Sequence, residues 1–315
     1  MMLARVADSL YWIGRYVERA EHMCRLSDVM LSATLDRSEA ASQVARIALS
    51  AVGDPDVAKA KTPYDAALAL ALDKDDDGSI ISSISRAREN ARQVRDQITT
   101  ETWERLNLIY LRMTDPDAGK SFAEGSQLFL HDTIADLHLF KGAGDATMSH
   151  GEGWSFLLLG VYLERAQLIG SLLEVVFGEG RRRRPVGDHF ALTSVLRMGC
   201  ALEPYLRVYT AEMQPRYILQ FLLLDEDFPR SIRFCTQEIE SHLSAIIRHA
   251  GMAGSVGPDR LAGRLRARLQ YADLDEIEVQ GASAFLKNVL DECAAIHRSL
   301  YDAFVAYSLE DRLPA

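Results

Sequence analysis

An all-α fold is the expectation for this chain, and three observations carry it. Apolar residues recur at helical spacing, as in Leu10, Ile13, Val17, Ala20 and Cys24, or Ile84, Ala87, Ala91, Val94 and Ile98. No stretch keeps a strand's period of two for long. Turn-forming clusters separate the periodic segments: GDP at 53–55, TP at 62–63, DPDAG at 115–119, KGAGD at 141–145, GEGRRRRPVGD at 178–188 and MAGSVGPD at 252–259. At usual helix lengths the chain accommodates roughly a dozen helices.

Composition narrows the class. The 315 residues are 48% hydrophobic and 25% charged, enough for one large core or two ordinary domains. A net charge of −10 argues against a nucleic-acid partner, which needs a basic face. Cys24, Cys200, Cys235 and Cys293 are far apart and form no CxxC pair, so a disulfide framework is not expected and a reducing cytoplasm is. The opening MMLARVADSLYWIGRY has no signal-peptide pattern. The apolar stretch at 154–178 is long enough to cross a bilayer, but Glu164 and Arg165 at its midpoint mark it as a buried core helix, and no membrane association is expected.

The chain reads as a duplication. GRYVERAEHM at 14–23 returns as GVYLERAQLI at 160–169, and LDKDDDGSI at 72–80 returns as LDEDFPRSI at 224–232. Two copies make a pseudo-two-fold helical bundle rather than a solenoid, with repeats at 1–147 and 148–315 sharing one core.

Within each copy a glutamate and an arginine stand side by side among apolar neighbours. Adjacent helical residues point about 100° apart, so Glu164 and Arg165 cannot simply pair with each other. A buried charge needs an opposite partner. If the two helices cross on the pseudo-two-fold axis, Glu18 reaches Arg165 and Arg19 reaches Glu164, while Gly14 and Gly160 permit the close approach. These pairs are either a structural ion-pair core or a catalytic centre beside Tyr16 and Tyr162; the structural reading is preferred, since buried pairs often set geometry without doing chemistry. A ferritin-like di-metal site is rejected, because no Glu-x-x-His occurs in the chain.

Three further features stand out. DKDDDG at 73–78 copies the opening of an EF-hand loop, but the twelfth position is Ile84, so the aspartates are read as helix-capping and calcium is not expected. In SRARENARQVRD, Arg88, Arg92 and Arg95 are placed on one helix face, with Glu89 and Asp96 within i+3 or i+4 reach of Arg92 and Asn90 in the same stretch, either a solvated ion-paired surface or a site for a carboxylate, phosphate or acidic partner. RRRR at 181–184 reads as a loop suited to an acidic partner surface. No Walker loop, GxGxxG, nucleophile motif or metal-ligand cluster occurs, and no cofactor is expected.

MLARVADSLYWIGRYVERAEHMCRL at 2–26, SRARENARQVRDQITTETWERLN at 85–107, WSFLLLGVYLERAQ at 154–167 and YILQFLLLDEDFPRSIRFC at 217–235 together resemble the bacterial alpha-E family, named for its helices and ER motif. The likeness spans essentially the whole chain, with one departure between copies: Val161 stands where the first copy has Arg15. The resemblance implies an all-helical protein encoded beside, or fused to, a circularly permuted ATP-grasp ligase, often with a transglutaminase-like protease, and a part in ATP-dependent peptide or amide-bond formation. It supplies no settled catalytic residues. Two functions follow: a helical partner or co-catalytic subunit of such a ligase, or an independent amide-forming or acyl-transfer enzyme using Glu18 and Glu164 as acid or base. The absence of nucleotide and nucleophile motifs favours the subunit over the enzyme; a purely structural interaction protein is a further alternative.

Overall fold

A computed structural model describes residues 2–35, 38–53, 62–178, 188–210, 212–251 and 257–305. Among them the chain forms fifteen α-helices and no strand. The first seven are α1 (Ala4–Ala33), α2 (Glu39–Val52), α3 (Pro63–Leu72), α4 (Ile80–Gln93), α5 (Thr100–Met113), α6 (Ala118–Glu124) and α7 (Ser126–Thr147). The remainder are α8 (Glu152–Phe177), α9 (His189–Met198), α10 (Leu202–Tyr209), α11 (Pro215–Leu224), α12 (Ile232–His249), α13 (Gly257–Gln270), α14 (Leu274–Gln280) and α15 (Ala282–Phe304).

Local chemistry sets many of these boundaries. Ser38, Thr62, Ser79, Thr99, Asp188, Ser231 and Asp273 each accept a backbone N–H from the first turn of the helix they precede. Pro63 and Pro215 open α3 and α11, where a missing N–H costs nothing. The apolar run from Ile84 to Ile98, read as one segment in the sequence, is divided: α4 stops at Gln93 and Thr99 caps a new helix. Periodicity carries across such a break because Val94 and Ile98 remain buried.

α1 and α8 are the central pair. α1 packs on α4 and α7; α8 packs on α12 and α15 in the same manner. The pairs α4–α5 and α5–α7 are matched by α12–α13 and α13–α15. Burial follows the same register: Leu130, Thr133, Leu137, Phe140 and Gly144 of α7 face the core, as do Leu286, Val289, Cys293, Ile296 and Leu300 of α15, each 156 residues later. The correspondence is incomplete, since α9 leans on α1 and α2.

α8 has the length and hydropathy of a bilayer span, but 67% of its apolar window is buried inside the protein. Its neighbours α1, α12 and α15 cover most of it. Cys24, Cys235 and Cys293 are buried free thiols, and Cys200 is a partly exposed one.

Candidate functional site

Two glycines bring α1 and α8 together. A Cβ on Gly14 would lie 2.0 Å from the carbonyl oxygen of Leu157, and one on Gly160 would lie 2.0 Å from that of Tyr11. Each contact is the image of the other, because Leu157 is to Gly160 what Tyr11 is to Gly14. Only hydrogen at both positions lets the backbones touch.

One turn further along, the ER residues cross-pair as their sequence positions imply. Arg165 donates from Nε to Glu18 Oε1 at 2.8 Å and from Nη2 to Oε2 at 2.8 Å, a bidentate fork. Arg19 Nε donates to Glu164 Oε1 at 2.6 Å. Glu18 and Glu164 are buried, Arg165 is nearly so, and the Arg19 side chain keeps 22% of its surface in solvent.

The ER dipeptides are only part of the assembly. Glu18 also accepts from Arg230 Nη1 at 3.0 Å and from Lys141 Nζ at 2.6 Å. Glu21, one turn on and fully buried, accepts from Lys141 at 2.5 Å, from both Arg25 Nε and Nη2, and from Arg230 Nη2, with His138 Nε2 3.2 Å away. Glu164 takes a second bond from Arg15 Nε, whose Nη atoms reach the Tyr11 hydroxyl and Gln167 Oε1. Sequence reasoning missed Glu21, Arg15, Lys141 and Arg230. Glu21 and Arg15 were legible, since i+3 and i−3 from Glu18 lie on its helix face; Lys141 and Arg230 arrive from α7 and from the turn before α12, which only tertiary packing discloses.

Burial alone would raise the pKa of Glu18, but Arg165, Lys141 and Arg230 overcome it and hold the carboxyl well below its ordinary value. Glu21 is lowered in the same way by Lys141 and Arg230 against its desolvation, and Glu164 by Arg15 and Arg19. All three are therefore ionised. Near Glu18 and Glu21 sits His22, buried, with neither ring nitrogen hydrogen-bonded; burial first, and then Arg230, lower its pKa to about 4. Tyr162, under the Arg165 guanidinium at 5.2 Å, is pushed up to about 12 by burial.

Two clefts flank this network. The smaller, about 220 Å³, has Lys141 and Arg165 on one side and an apolar wall that includes Trp154, Leu157, Leu158 and Val161. The larger, about 430 Å³, includes Arg25, Arg197, Cys200 and the His131–Asp28 pair.

The other sequence-predicted features lie elsewhere. Arg88 lies over Tyr110 at 4.6 Å and Trp103 at 5.5 Å and donates to Asn107, while Arg95 lies over Trp103 at 4.8 Å. Arg95 stands beyond the end of α4, so the three arginines do not share one helix face; Arg92 is exposed and paired with Glu89, and Asn90 is half-buried. In the DKDDDG loop, Asp73 and Asp76 accept the amides of Asp75 and Gly78, and Asp77 pairs with Arg86. Among the described residues no group of His, Cys, Asp or Glu is placed to hold a metal ion. The RRRR stretch at 181–184 lies outside the described residues.

The chain is similar to an uncharacterized protein of Mycobacterium bovis, 27% identical over 321 residues. It resembles two uncharacterized proteins from Mycobacterium tuberculosis strains at 27% and 26% identity. In each case the match covers 95% of this chain but only 36% of the relative's length. No solved structure matches. A family profile described as a predicted alpha-helical domain with a conserved ER motif matches residues 2–305. With that coverage, and with two ER dipeptides interlocked at its centre, this chain belongs to the Alpha-E family.

Proposed function

We propose that the chain is the helical partner, or co-catalytic subunit, of an ATP-grasp-type ligase that forms peptide or amide bonds. The observation that carries this reading is the saturation of the ER network. Glu18 accepts four charge-assisted hydrogen bonds, and every one of its acceptor directions is occupied by a buried or half-buried cation. A general acid or base needs a free lone pair and a path for its proton. Glu18 has neither, and Glu164, held by Arg15 and Arg19, is little better placed. The ER pairs therefore act as the structural centre, and the stand-alone enzyme using them as acid and base is disfavoured.

The reading draws further support from the relatives, in which a matching region makes up 36% of a longer chain, as expected of a helical unit that works with other domains. The ligase as partner, and a transglutaminase-like protease in the same system, come from the family resemblance. The duplicated architecture is part of the same proposal: the matched packing of α1 with α8 and their followers is what two fused copies would produce. The aromatic-braced arginines Arg88 and Arg95, with Arg92, Glu89 and Asn90 beside them, form a surface fitted to an acidic partner.

The test is to purify the chain with and without an ATP-grasp ligase encoded beside it and to follow ADP release and amide product by mass spectrometry. Product is expected only when both are present, with no ATP hydrolysis by this chain alone. Equal product from the ligase by itself would remove the subunit reading, and product from this chain by itself would establish the independent enzyme.

A further inference from the structure

The charges at the centre do not balance. Around Glu18 and Glu21 stand Arg25, Lys141, Arg165 and Arg230, four cations on two anions; around Glu164 stand Arg15 and Arg19, two on one. The cluster thus carries three positive charges in excess inside a chain whose net charge is −10. Excess charge of one sign away from water is costly unless an opposite charge comes to it. A nearby acid does little to offset it. Asp145, one turn beyond Lys141 and on the same cleft, is 72% exposed, so water screens it.

Two of these cations meet open space together at the smaller cleft. Lys141 keeps 25% of its side chain accessible, against 10% for Arg165 and 9% for Arg230, and both Lys141 and Arg165 line the smaller cleft. An ammonium group has three protons, and Lys141 spends two of them on Glu18 and Glu21. Arg165 has five N–H groups, of which Glu18 and the Pro229 carbonyl take three. Most of the remaining wall is apolar, with Val17, Phe140, Trp154, Leu157, Leu158 and Val161, and Thr102, Asp145 and Tyr162 also line it. A cavity of ~150 Å³ accepts benzene, so about 220 Å³ admits an aromatic or short aliphatic body together with one carboxylate.

We propose that the cleft between α7 and α8 binds a small carboxylic acid with an apolar body, its carboxylate on Lys141 and Arg165 and its body against Trp154, Leu157, Leu158 and Val161. A largely apolar wall with the Asp145 carboxylate beside the two cations disfavours a phosphate, whose second negative charge and further oxygens would lose water for too few donors. A guanidinium and an ammonium on one side favour an anion over the corresponding amide. The site is a property of the isolated chain and holds whether or not a ligase is its partner.

Calorimetric titration of the full chain tests this with 3-phenylpropanoate and hexanoate as probes, and with 3-phenylpropanamide and inorganic phosphate for comparison. Saturable one-to-one binding of the carboxylates is expected, at least about tenfold tighter than the amide, the range of a charge-assisted hydrogen bond. Lys141→Met should weaken binding by a similar factor, but it also strips a partner from Glu18 and Glu21. Leu158→Trp therefore serves as the second variant: Leu158 is partly buried on the cleft wall and touches none of the ion pairs, so filling the cleft there should abolish binding while the circular-dichroism melt stays cooperative. No saturable binding of either carboxylate, equal affinity for the amide, tighter binding of phosphate, or unchanged binding by folded Leu158→Trp would each overturn the proposal.

Discussion

The two ER centres occupy matching places on one crossing but carry different loads. At the first, Glu18 and Glu21 gather four cations from α1, α7, α8 and the turn before α12; at the second, Glu164 has two arginines, both from α1. At an offset of 146 residues, Gln167 stands opposite Glu21, Leu168 opposite His22 and Ser171 opposite Arg25. Lys141 of α7 is matched 156 residues later by His297 of α15, which bonds the Tyr11 hydroxyl instead of a carboxylate. The backbone crossing is reciprocal while the side chains around it differ. Frame and charge are thus separable, and each can be perturbed alone.

The largest effect should come from the loaded centre. Glu18→Ala leaves Arg165, Arg230 and Lys141 facing one another with only Glu21 in reach, and should cost about 3–5 kcal/mol in denaturant unfolding. Glu164→Ala should cost less, about 1–3 kcal/mol, since Arg15 retains Tyr11 and Gln167 and Arg19 can turn to water. Equal losses would mean that the surplus of cations at the first centre has no energetic consequence.

The frame is tested next. Gly14→Ala and Gly160→Ala each drive a methyl into a carbonyl oxygen of the facing helix, where no flexible side chain can yield. Both should lose about 3 kcal/mol, the upper part of the usual overpacking range. Here the expected result is equality. A markedly unequal pair would show that the reciprocity of the crossing is confined to distances.

His22 sharpens the comparison because its counterpart, Leu168, is apolar. In the folded protein burial, and then Arg230, hold the imidazole neutral down to about pH 4, whereas the unfolded chain takes up a proton near 6.5. Stability from this residue is therefore fully present above pH 6.5 and lost as the pH falls from 6.5 to 4. His22→Leu removes two nitrogens without hydrogen-bond partners and should stabilise by ~1 kcal/mol at neutral pH. The gain should widen by up to ~1.4 kcal/mol per pH unit below 6.5. The carboxylates act in a lower window: with folded pKa values below 4.5, Glu18, Glu21 and Glu164 hold their contribution until the pH drops beneath the ordinary carboxylate range, in variant and parent alike. A variant less stable than the parent at both pH 5 and pH 7 would contradict the assignment.

What could be read in advance divides along the same line. The crossing was legible because small residues and paired charges repeat at fixed spacing within a helix, and Gly14, Glu18 and Arg19 with their counterparts met as that spacing requires. Many helix positions followed from periodicity and caps, although the run through Val94 hid a boundary and KGAGD at 141–145, read as a break, lies inside α7. Lys141 and Arg230 were not legible. A lone lysine in KGAGD and an arginine after Pro229 look like ordinary loop and surface residues until packing delivers them to Glu18. The apolar-walled cleft, which belongs to no single segment, had no sequence signal at all.

The smallest effects belong to the arginine stretch, where one run of sequence serves two purposes. Arg88 is half-buried between the rings of Trp103 and Tyr110 with Asn107 as acceptor, whereas Arg92 reaches only Glu89, a pair that is 60% and 47% exposed. Cation–π contacts at partly exposed sites contribute ~0.5–1 kcal/mol each, and exposed i,i+3 ion pairs contribute almost nothing once salt screens them. Arg88→Ala should therefore lower stability by about 1 kcal/mol, and Arg92→Ala should leave the melting temperature unchanged at physiological ionic strength. If this surface receives an acidic partner, the order reverses in a binding measurement. Arg92 is free to leave Glu89 for a better carboxylate, while Arg88 is held by its rings, so Arg92→Ala should weaken association more than Arg88→Ala does. A partner whose affinity ignores both substitutions would mark the stretch as a brace for α4 and α5 and nothing more.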